Sequence, residues 1–222
     1  MPTARLFQFL PSPFCAKVRK ILEYKGIEFE AIEVDYIERK ELIAASGQIT
    51  VPALTLPGGE TIVDSGRIAT RLEELFPEPT IFPPSWRGMH IAMTRYIESE
   101  VEEAIFRVKI PDTMEYWRLR GADRLAMWRY VRERKYGAGF CDRMVREREA
   151  NLDRVREVLS PFEDALGDRP FLFRRIGLAD FALYGTLHSL AFTGELKIPA
   201  EFPALRAFYG RIDRITASIE AA

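Results

Sequence analysis

A proline-interrupted turn near the N-terminus constrains the fold of this chain more than any other stretch. The apolar run at residues 5–10 predicts a buried strand, which ends at a proline. Ser12 then stands at the N-cap of a helix predicted over residues 13–25, since Pro13 takes the first helical position, where its missing N–H costs nothing. The strand therefore delivers a hydroxyl to the positive end of a helix, a position that suits an anion or a thiolate.

Strands and helices alternate after this turn. The next predicted elements are a strand, a polar helical stretch, two short strands and a helix, at residues 28–34, 38–45, 51–56, 61–63 and 65–76. Gly58 and Gly59 separate the short strands, which is a hairpin signal. The order βαβαββα predicts a mixed sheet with helices on its faces, and we interpret it as an α/β thioredoxin-like N-terminal domain. Its longer helices are expected to bury Phe14, Val18, Ile21, Leu22, Ile68, Leu72, Leu75 and Phe76.

A proline-dense segment at residues 77–84 cannot continue a helix and is the predicted domain boundary. Beyond it, strand signals vanish and apolar residues recur at helical spacing. Two such series are Met89, Met93, Ile97, Val101, Ile105 and Val108, and Leu152, Val155, Leu159, Phe162 and Leu166. Helical patterns also run through residues 123–136, 178–192 and 203–216. We therefore predict an α/β domain at residues 1–78 and an all-α helical bundle at residues 86–222.

Composition excludes several classes of function. The chain has 222 residues, 47% of them hydrophobic, and a formal net charge of −1, so no long-range field would gather nucleic acid or an anionic membrane. Cys15 and Cys141 form no disulfide framework, and His90 and His188 are too isolated for a metal site or a catalytic triad. No signal segment or membrane-length apolar run is visible, so we expect a soluble protein in a reducing, cytoplasmic compartment, without a metal.

Three short motifs follow one another in a fixed order. Ser12–Pro13–Phe14–Cys15 is similar to the redox motif of glutaredoxins, with Ser in place of the first Cys. Val51–Pro52 opens a strand, and Asp64–Ser65 lies where a strand ends and a helix begins. Together with the proline-rich linker and the helical second domain, these motifs resemble the cytosolic glutathione transferase superfamily over essentially the whole chain. Serine at position 12 is similar to the serine-type members, with no class assigned.

The resemblance implies a glutathione transferase that activates the glutathione thiol for attack on a small electrophile. Ser12 would be the catalytic residue, donating a hydrogen bond to the thiolate. A cis Val51–Pro52 bond would turn the Val51 backbone toward the cysteinyl part of glutathione. Ser65, which we expect to cap its helix, and Asp64 would hold the γ-glutamyl end. The implied glutathione-binding residues are Ser12, Phe14, Gln48, Val51, Pro52, Asp64 and Ser65.

Two departures from the family pattern leave alternatives open. Ile49 stands where the partly similar delta-class members carry His, and Asp64 stands where the family mostly has Glu. Arg39 or Lys40 are candidates to supply charge at the glycine end of glutathione. One alternative is a non-enzymatic glutathione-transferase-like binding protein. Another is a glutathione-dependent thiol oxidoreductase that uses Cys15, although a small buried hydrophobe is the favoured role for this residue.

The helical domain contributes further expectations. Asp180 is expected to bond back to the Gly177 N–H at the start of a buried helix, a folding role. The resemblance also implies a homodimer that acts in detoxification, with neither nucleic acid nor membranes as partners. Candidate aromatic walls of the electrophile pocket are Tyr96, Phe106, Tyr116, Trp117 and Tyr130.

Overall fold

A four-stranded sheet flanked by helices forms the N-terminal part of the molecule. The computed structural model describes residues 3–216, so the ends of the predicted domains at 1–2 and 217–222 lie outside the described residues. The elements are β1 (Ala4–Gln8), α1 (Pro13–Tyr24), β2 (Phe29–Glu33), α2 (Lys40–Ser46), β3 (Ala53–Thr55), β4 (Thr61–Val63) and α3 (Ser65–Leu75). This is the predicted βαβαββα order, and the thioredoxin-like fold class is confirmed.

The sheet has the strand order β2-β1-β3-β4. β1 runs parallel to β2, whereas β3 is antiparallel to both β1 and β4. The glycine turn closes the β3–β4 hairpin as predicted, with Gly59 in the left-handed region at φ 87°. In the register, Ala53 pairs with both Phe7 and Val63. The end of β1, the start of β3 and the end of β4 therefore meet at one edge of the sheet.

The rest of the described chain is helical. A linker at residues 76–83, without strand or helix, leads to a short 3₁₀ turn at Pro84–Trp86. The exact limits of the two domains, 1–78 and 86–222, stay a prediction. The helices are α4 (Arg87–Tyr96), α5 (Glu102–Val108), α6 (Ile110–Arg118), α7 (Ala122–Tyr136), α8 (Phe140–Arg146), α9 (Arg148–Leu166), α10 (Leu178–His188) and α11 (Pro203–Asp213). A π-helical turn at Ile97–Val101 joins α4 to α5.

Helix α10 lies at the centre of the molecule and packs against α1. Every residue from its start at Leu178 to Leu187 is buried, which explains why its apolar residues show no one-sided pattern. Gly185 permits the close approach of the two helices, since a Cβ there would lie 2.3 Å from the Pro13 carbonyl oxygen. This packing holds the N-terminus of α1, and with it the Ser12 turn, against the helical domain.

The start of α10 is capped by side chains from two elements. The Asp180 carboxylate accepts the N–H groups of Gly177 at 2.9 Å and Leu172 at 2.8 Å, which confirms the predicted back-bond. His90 of α4 accepts the Ala179 N–H at its Nδ1, at 3.3 Å. A Cβ on Gly177 would lie 2.5 Å from the His90 ring. Glycine at the N-cap therefore makes room for a cap supplied by another helix.

Four apolar residues do not lie where periodicity places them. Leu75 and Phe76 are 41% and 40% exposed, so the prediction that they point into the core is wrong, and Met89, the first residue of its helical series, is 51% exposed. Phe14 is only partly buried and borders a cleft, whereas Val18 and its other predicted partners are fully buried. Periodicity identifies the apolar face of a helix, but it does not tell whether another element covers that face.

Residues 3–216 contain neither a membrane-spanning helix nor a cluster of metal ligands. Within these residues, no helix has the length and hydropathy needed to cross a membrane. The same residues contain no group of three or more His, Cys, Asp or Glu side chains arranged to hold a metal ion.

Candidate functional site

Three of the sequence motifs converge at the sheet edge described above. Ser12 follows β1, Val51 precedes β3, and Asp64 follows β4. Because Phe7, Ala53 and their neighbours are paired in register, the backbone brings these segments together although they are far apart in sequence. The Val51–Pro52 peptide bond is cis, as the family resemblance implies.

Ser12 is the N-cap of α1. Its Oγ accepts the N–H of Cys15 at 3.4 Å, and its own N–H donates to the Phe9 carbonyl at 3.0 Å. Since the hydroxyl oxygen accepts this bond, the hydroxyl hydrogen remains available to a ligand. The positive end of the α1 dipole lies at the same place, so the turn favours a bound anion.

Cys15 lies one turn of helix further on and is fully buried. Burial raises the pKa of its thiol to about 11, although the Ser12 hydroxyl and the Phe9 backbone partly oppose the shift. A thiol with this pKa is protonated at neutral pH, and the thiolate is the reactive form of cysteine. The surroundings of Cys15 therefore argue against its use as a redox nucleophile.

A cleft of about 650 Å³ opens between the Ser12 turn and the helical domain. Of the predicted site residues, Ser12, Phe14 and Val51 line this cleft. Asp64 instead lines a second cleft of about 680 Å³, beside α3 and α4. Gln48, Pro52 and Ser65 line neither of the two clefts. The three predicted motifs thus lie at one edge of the sheet, but only Ser12, Phe14 and Val51 line the same cleft.

The cap of α3 differs from the prediction. Asp64, not Ser65, is the N-cap, and its Oδ1 accepts the N–H groups of Gly66 and Arg67, both at 3.0 Å. Asp64 has a φ of 76°, in the left-handed region that only a few residue types besides glycine tolerate. In this conformation the carboxylate caps the N–H groups of the first helical turn that follows it, and Ser65 is the first helical residue.

The segment proposed for the glycine end is clearer in the structure than in the sequence. Arg39 lines the Ser12 cleft, with its Nε donating to the Tyr36 carbonyl at 2.9 Å and a second nitrogen bonded to the Ile49 carbonyl. Lys40 is exposed and lies 3.8 Å from a Glu38 carboxylate oxygen. Ile49, at 58% exposure, also borders the cleft. Arg39 is therefore the better placed of the two candidate cations.

The aromatic walls of the cleft were only partly predicted. Phe106 and Trp117 line the cleft as expected. Tyr116 is buried behind the wall, where its hydroxyl donates to Glu33 at 2.6 Å, and the remaining two candidates also do not line the cleft. Residues of the wall that the sequence did not single out are Phe9, Tyr36, Trp128 and Tyr136.

Lys109 is a further residue of the cleft that sequence reasoning missed. Its Nζ lies 2.9 Å from Ser189 Oγ and 3.3 Å from the Pro11 carbonyl oxygen, directly before Ser12. Glu102 lies 4.0 Å away, and burial lowers the pKa of the Lys109 ammonium to about 8. The lysine interrupts an apolar stretch in the sequence, which was its only signal. The Lys109 ammonium group therefore connects the helical domain to the Ser12 turn and places a positive charge beside it.

Comparison with known proteins agrees with this architecture. Two family models match, described as "Glutathione S-transferase, N-terminal domain" at residues 6–80 and "Glutathione S-transferase, C-terminal domain" at residues 146–211. A curated relative, "Probable glutathione S-transferase GSTU1" of Oryza sativa subsp. japonica, is 28% identical over an alignment that covers 97% of this chain and 87% of the relative.

Solved structures give the same picture of the fold. Glutathione transferase GSTFuA3 from Phanerochaete chrysosporium superposes with a TM-score of 0.80 at 18% identity, covering 96% of this chain and 97% of that one. A glutathione S-transferase of Ceriporiopsis subvermispora, solved in complex with glutathione, has a TM-score of 0.77 at 18% identity, with 99% and 97% covered. Since the two family models together span more than half of the sequence, the chain belongs to the cytosolic glutathione transferase superfamily.

Proposed function

We propose that this chain binds glutathione at the Ser12 edge of the cleft and activates its thiol for attack on a small electrophile. The observation that carries the proposal is the position of Ser12, at the N-cap of α1 and on the cleft wall, with Val51 beside it. A hydroxyl there donates a hydrogen bond to the sulfur anion. The thiol pKa falls as a result, and each unit of that shift corresponds to about 1.4 kcal/mol.

The other motif residues would hold the tripeptide. The Val51 N–H and C=O would pair with the cysteinyl backbone like an added strand. Asp64 and Ser65 would bind the γ-glutamyl end at the neighbouring corner, and Arg39 the glycine carboxylate. Gln48 remains a candidate contact from its loop, and Phe14 would shape the floor of the cleft. A glutathione complex is known for a structural neighbour, the Ceriporiopsis subvermispora protein.

The apolar walls suit an electrophile with aromatic or aliphatic surface. We also propose that the protein is a homodimer of the cytoplasm that acts in detoxification. Exposed apolar side chains on α3 and α4 support the dimer, since Phe76, Met89 and Tyr96 are between 40% and 51% exposed. Sedimentation of the purified protein tests this, and a monomer at micromolar concentration would contradict it.

Calorimetric titration with glutathione tests the binding site. Asp64→Ala removes both the charge and the cap of α3, whereas Asp64→Asn keeps an oxygen acceptor for the two N–H groups and removes only the charge. We expect wild type to bind and Asp64→Asn to bind about tenfold more weakly, because a charge-assisted bond to the α-amino group is lost. Equal affinity of wild type and Asp64→Asn for glutathione would show that the Asp64 charge does not contribute to glutathione binding.

A specific observation keeps a non-enzymatic binding protein as the second candidate. Asp64 already uses Oδ1 to cap α3 and borders the second cleft rather than the first. If wild type shows no heat of binding with millimolar glutathione, the fold is retained without this chemistry, and the cleft serves another ligand.

A further inference from the structure

The charges around the Ser12 cleft differ from those of the chain as a whole. The chain has a formal net charge of −1. The cleft is lined by four cations, and among the described residues that line it the only carboxylate is Glu102. The cations are Arg39, Lys109, Arg132 and Lys135. The space next to Ser12 is therefore bordered by an excess of positive charge within a largely apolar wall that includes seven aromatic side chains.

Two of these cations belong to α7, and the Glu102 carboxylate of the cleft wall interacts with both only at longer range than an ion pair. The Arg132 guanidinium lies over the rings of Phe106 and Trp128, with its Cζ 5.5 and 5.1 Å from their centroids. The Lys135 Nζ lies 4.6 Å from the centroid of the Tyr136 ring. Within residues 3–216 neither cation makes an ion pair, and the buried Nε of Arg132 has no hydrogen-bond acceptor.

Two other arginines of the same helix are paired with carboxylates. Arg124 lies 2.8 Å from a carboxylate oxygen of Asp35, and Arg129 lies 2.8 Å from one of Asp142. A buried N–H without an acceptor destabilises the free protein, and a ligand that supplies the acceptor recovers this cost. A planar guanidinium matches a carboxylate in particular, because its parallel N–H groups bond both oxygens.

We propose that the electrophile taken by this cleft is a flat aromatic molecule that carries a carboxylate, bound by Arg132 with Lys135 at the mouth. The aromatic wall receives the ring, and the unpartnered guanidinium receives the acid group. This inference rests on the proposed transferase function. Arg39 belongs to the N-terminal domain and bonds the Tyr36 and Ile49 carbonyls, so a cation from a different element is available for the glycine carboxylate of glutathione.

A chlorodinitrobenzoate and its neutral methyl ester form a matched pair of test electrophiles. In both, the glutathione sulfur bonds to the ring carbon that carries chlorine, chloride leaves with the electron pair of the C–Cl bond, and the thiol proton passes to solvent. The quantity compared is kcat/KM divided by the uncatalysed rate constant of each compound. We expect wild type to prefer the carboxylate by about tenfold, the effect of one charge-assisted hydrogen-bonded contact.

Arg132→Gln should remove this preference by lowering kcat/KM for the carboxylate about tenfold. The kcat/KM for the ester and the KM for glutathione should stay at their wild-type values. Lys135→Gln, at an exposed position, should give a smaller decrease of about threefold. Arg134→Gln is the matched control, since Arg134 is an exposed arginine of the same helix that does not line the cleft. It should leave both electrophiles unchanged.

Three outcomes would overturn the inference. In the first, wild type shows no preference for the carboxylate. In the second, Arg132→Gln slows both electrophiles equally. In the third, Arg132→Gln raises the KM of glutathione, which would assign the guanidinium to a glutathione carboxylate.

A glutathione-free arm separates this inference from the proposed function. Trp117 and Trp128 line the cleft, so quenching of their fluorescence reports occupancy. Unreactive dinitrobenzoate should quench wild type at lower concentration than its methyl ester, and Arg132→Gln should abolish the difference. If neither electrophile reacts but this difference is present, the transferase function fails and the carboxylate site stands. Equal quenching by both compounds in wild type overturns the site.

Discussion

At the scale of single residues, Ser12 and Cys15 occupy one turn but have different chemistry. Ser12 borders the cleft, whereas Cys15 is fully buried with a pKa raised to about 11. We expect Cys15→Ala to keep glutathione-dependent kcat/KM within about twofold of wild type, because this residue acts as a small buried hydrophobe. Loss of activity in Cys15→Ala, with Ser12→Ala active, would instead support a thiol oxidoreductase.

Gly177 and His90 form a residue pair that replaces a side-chain N-cap. His90→Ala should lower the free energy of unfolding by about 2–3 kcal/mol, since it opens a cavity and leaves the Ala179 N–H without an acceptor. Gly177→Ser alone should cost about 1–3 kcal/mol, because its Cβ meets the His90 ring.

The double variant is the informative measurement for this pair. With the ring removed, the serine fits and can cap α10 with its own hydroxyl. In denaturant unfolding, the double variant should therefore lose less unfolding free energy than the summed losses of His90→Ala and Gly177→Ser. Strict additivity would contradict a shared capping site.

The same histidine makes stability depend on pH. Burial lowers the pKa of His90 to about 4 in the folded protein, below the value of about 6.5 in an unfolded chain. Between these values the unfolded state binds more protons, so the His90 contribution is complete above pH 6.5 and is lost as the pH falls toward 4. His90→Asn retains an acceptor without titrating. The free energy of unfolding of wild type, relative to that of His90→Asn, should thus decrease as the pH falls from 6.5 to 4. A difference that stays constant with pH would show that His90 does not cause this dependence.

At the scale of elements, the contact between α1 and α10 determines where the Ser12 turn lies. Gly185→Ala would place a methyl group 2.3 Å from the Pro13 carbonyl oxygen, and backbone has to move to relieve this. We expect a loss of about 1–3 kcal/mol in unfolding free energy together with a higher KM for glutathione.

Gly210→Ala provides the control for this prediction. Gly210 is also inside a helix, α11, but a Cβ there meets only the end of the flexible Arg214 side chain, at 3.5 Å. This substitution should be neutral or stabilising, by up to about 1 kcal/mol. If Gly185→Ala behaves like Gly210→Ala, the tight helix contact does not position the turn.

Elements with a strong local signal were predictable from the sequence. Proline at the first helical position identified α1, and the glycine pair identified the β3–β4 hairpin. The short helices α6 and α8 were not predicted, since seven to nine residues give too little periodicity. The cap of α3 was misplaced by one residue because Asp64 and Ser65 are both good capping residues, and only the backbone conformation selects Asp64.

At the scale of the whole molecule, the cleft exists only where distant segments meet. Ser12 and Val51 could be predicted because each lies in a local motif. Lys109 and Arg132 could not, since their partners and their place at the cleft follow from the packing of α5–α7 against the Ser12 turn. Charged residues on amphipathic helices usually face solvent, so helical periodicity alone does not select these two.

The proposed role of the Ser12 hydroxyl is to stabilise the glutathione thiolate. Titrating the ultraviolet absorbance of the bound thiolate against pH in wild type, Ser12→Thr and Ser12→Ala measures this effect. Wild type should show a thiol pKa at least about one unit below the free value of about 8.5. Ser12→Thr, which keeps the hydroxyl, should stay near wild type, and Ser12→Ala should raise the pKa by about 1–2 units. An unchanged thiol pKa in Ser12→Ala, with glutathione still bound, would show that the Ser12 hydroxyl does not stabilise the thiolate.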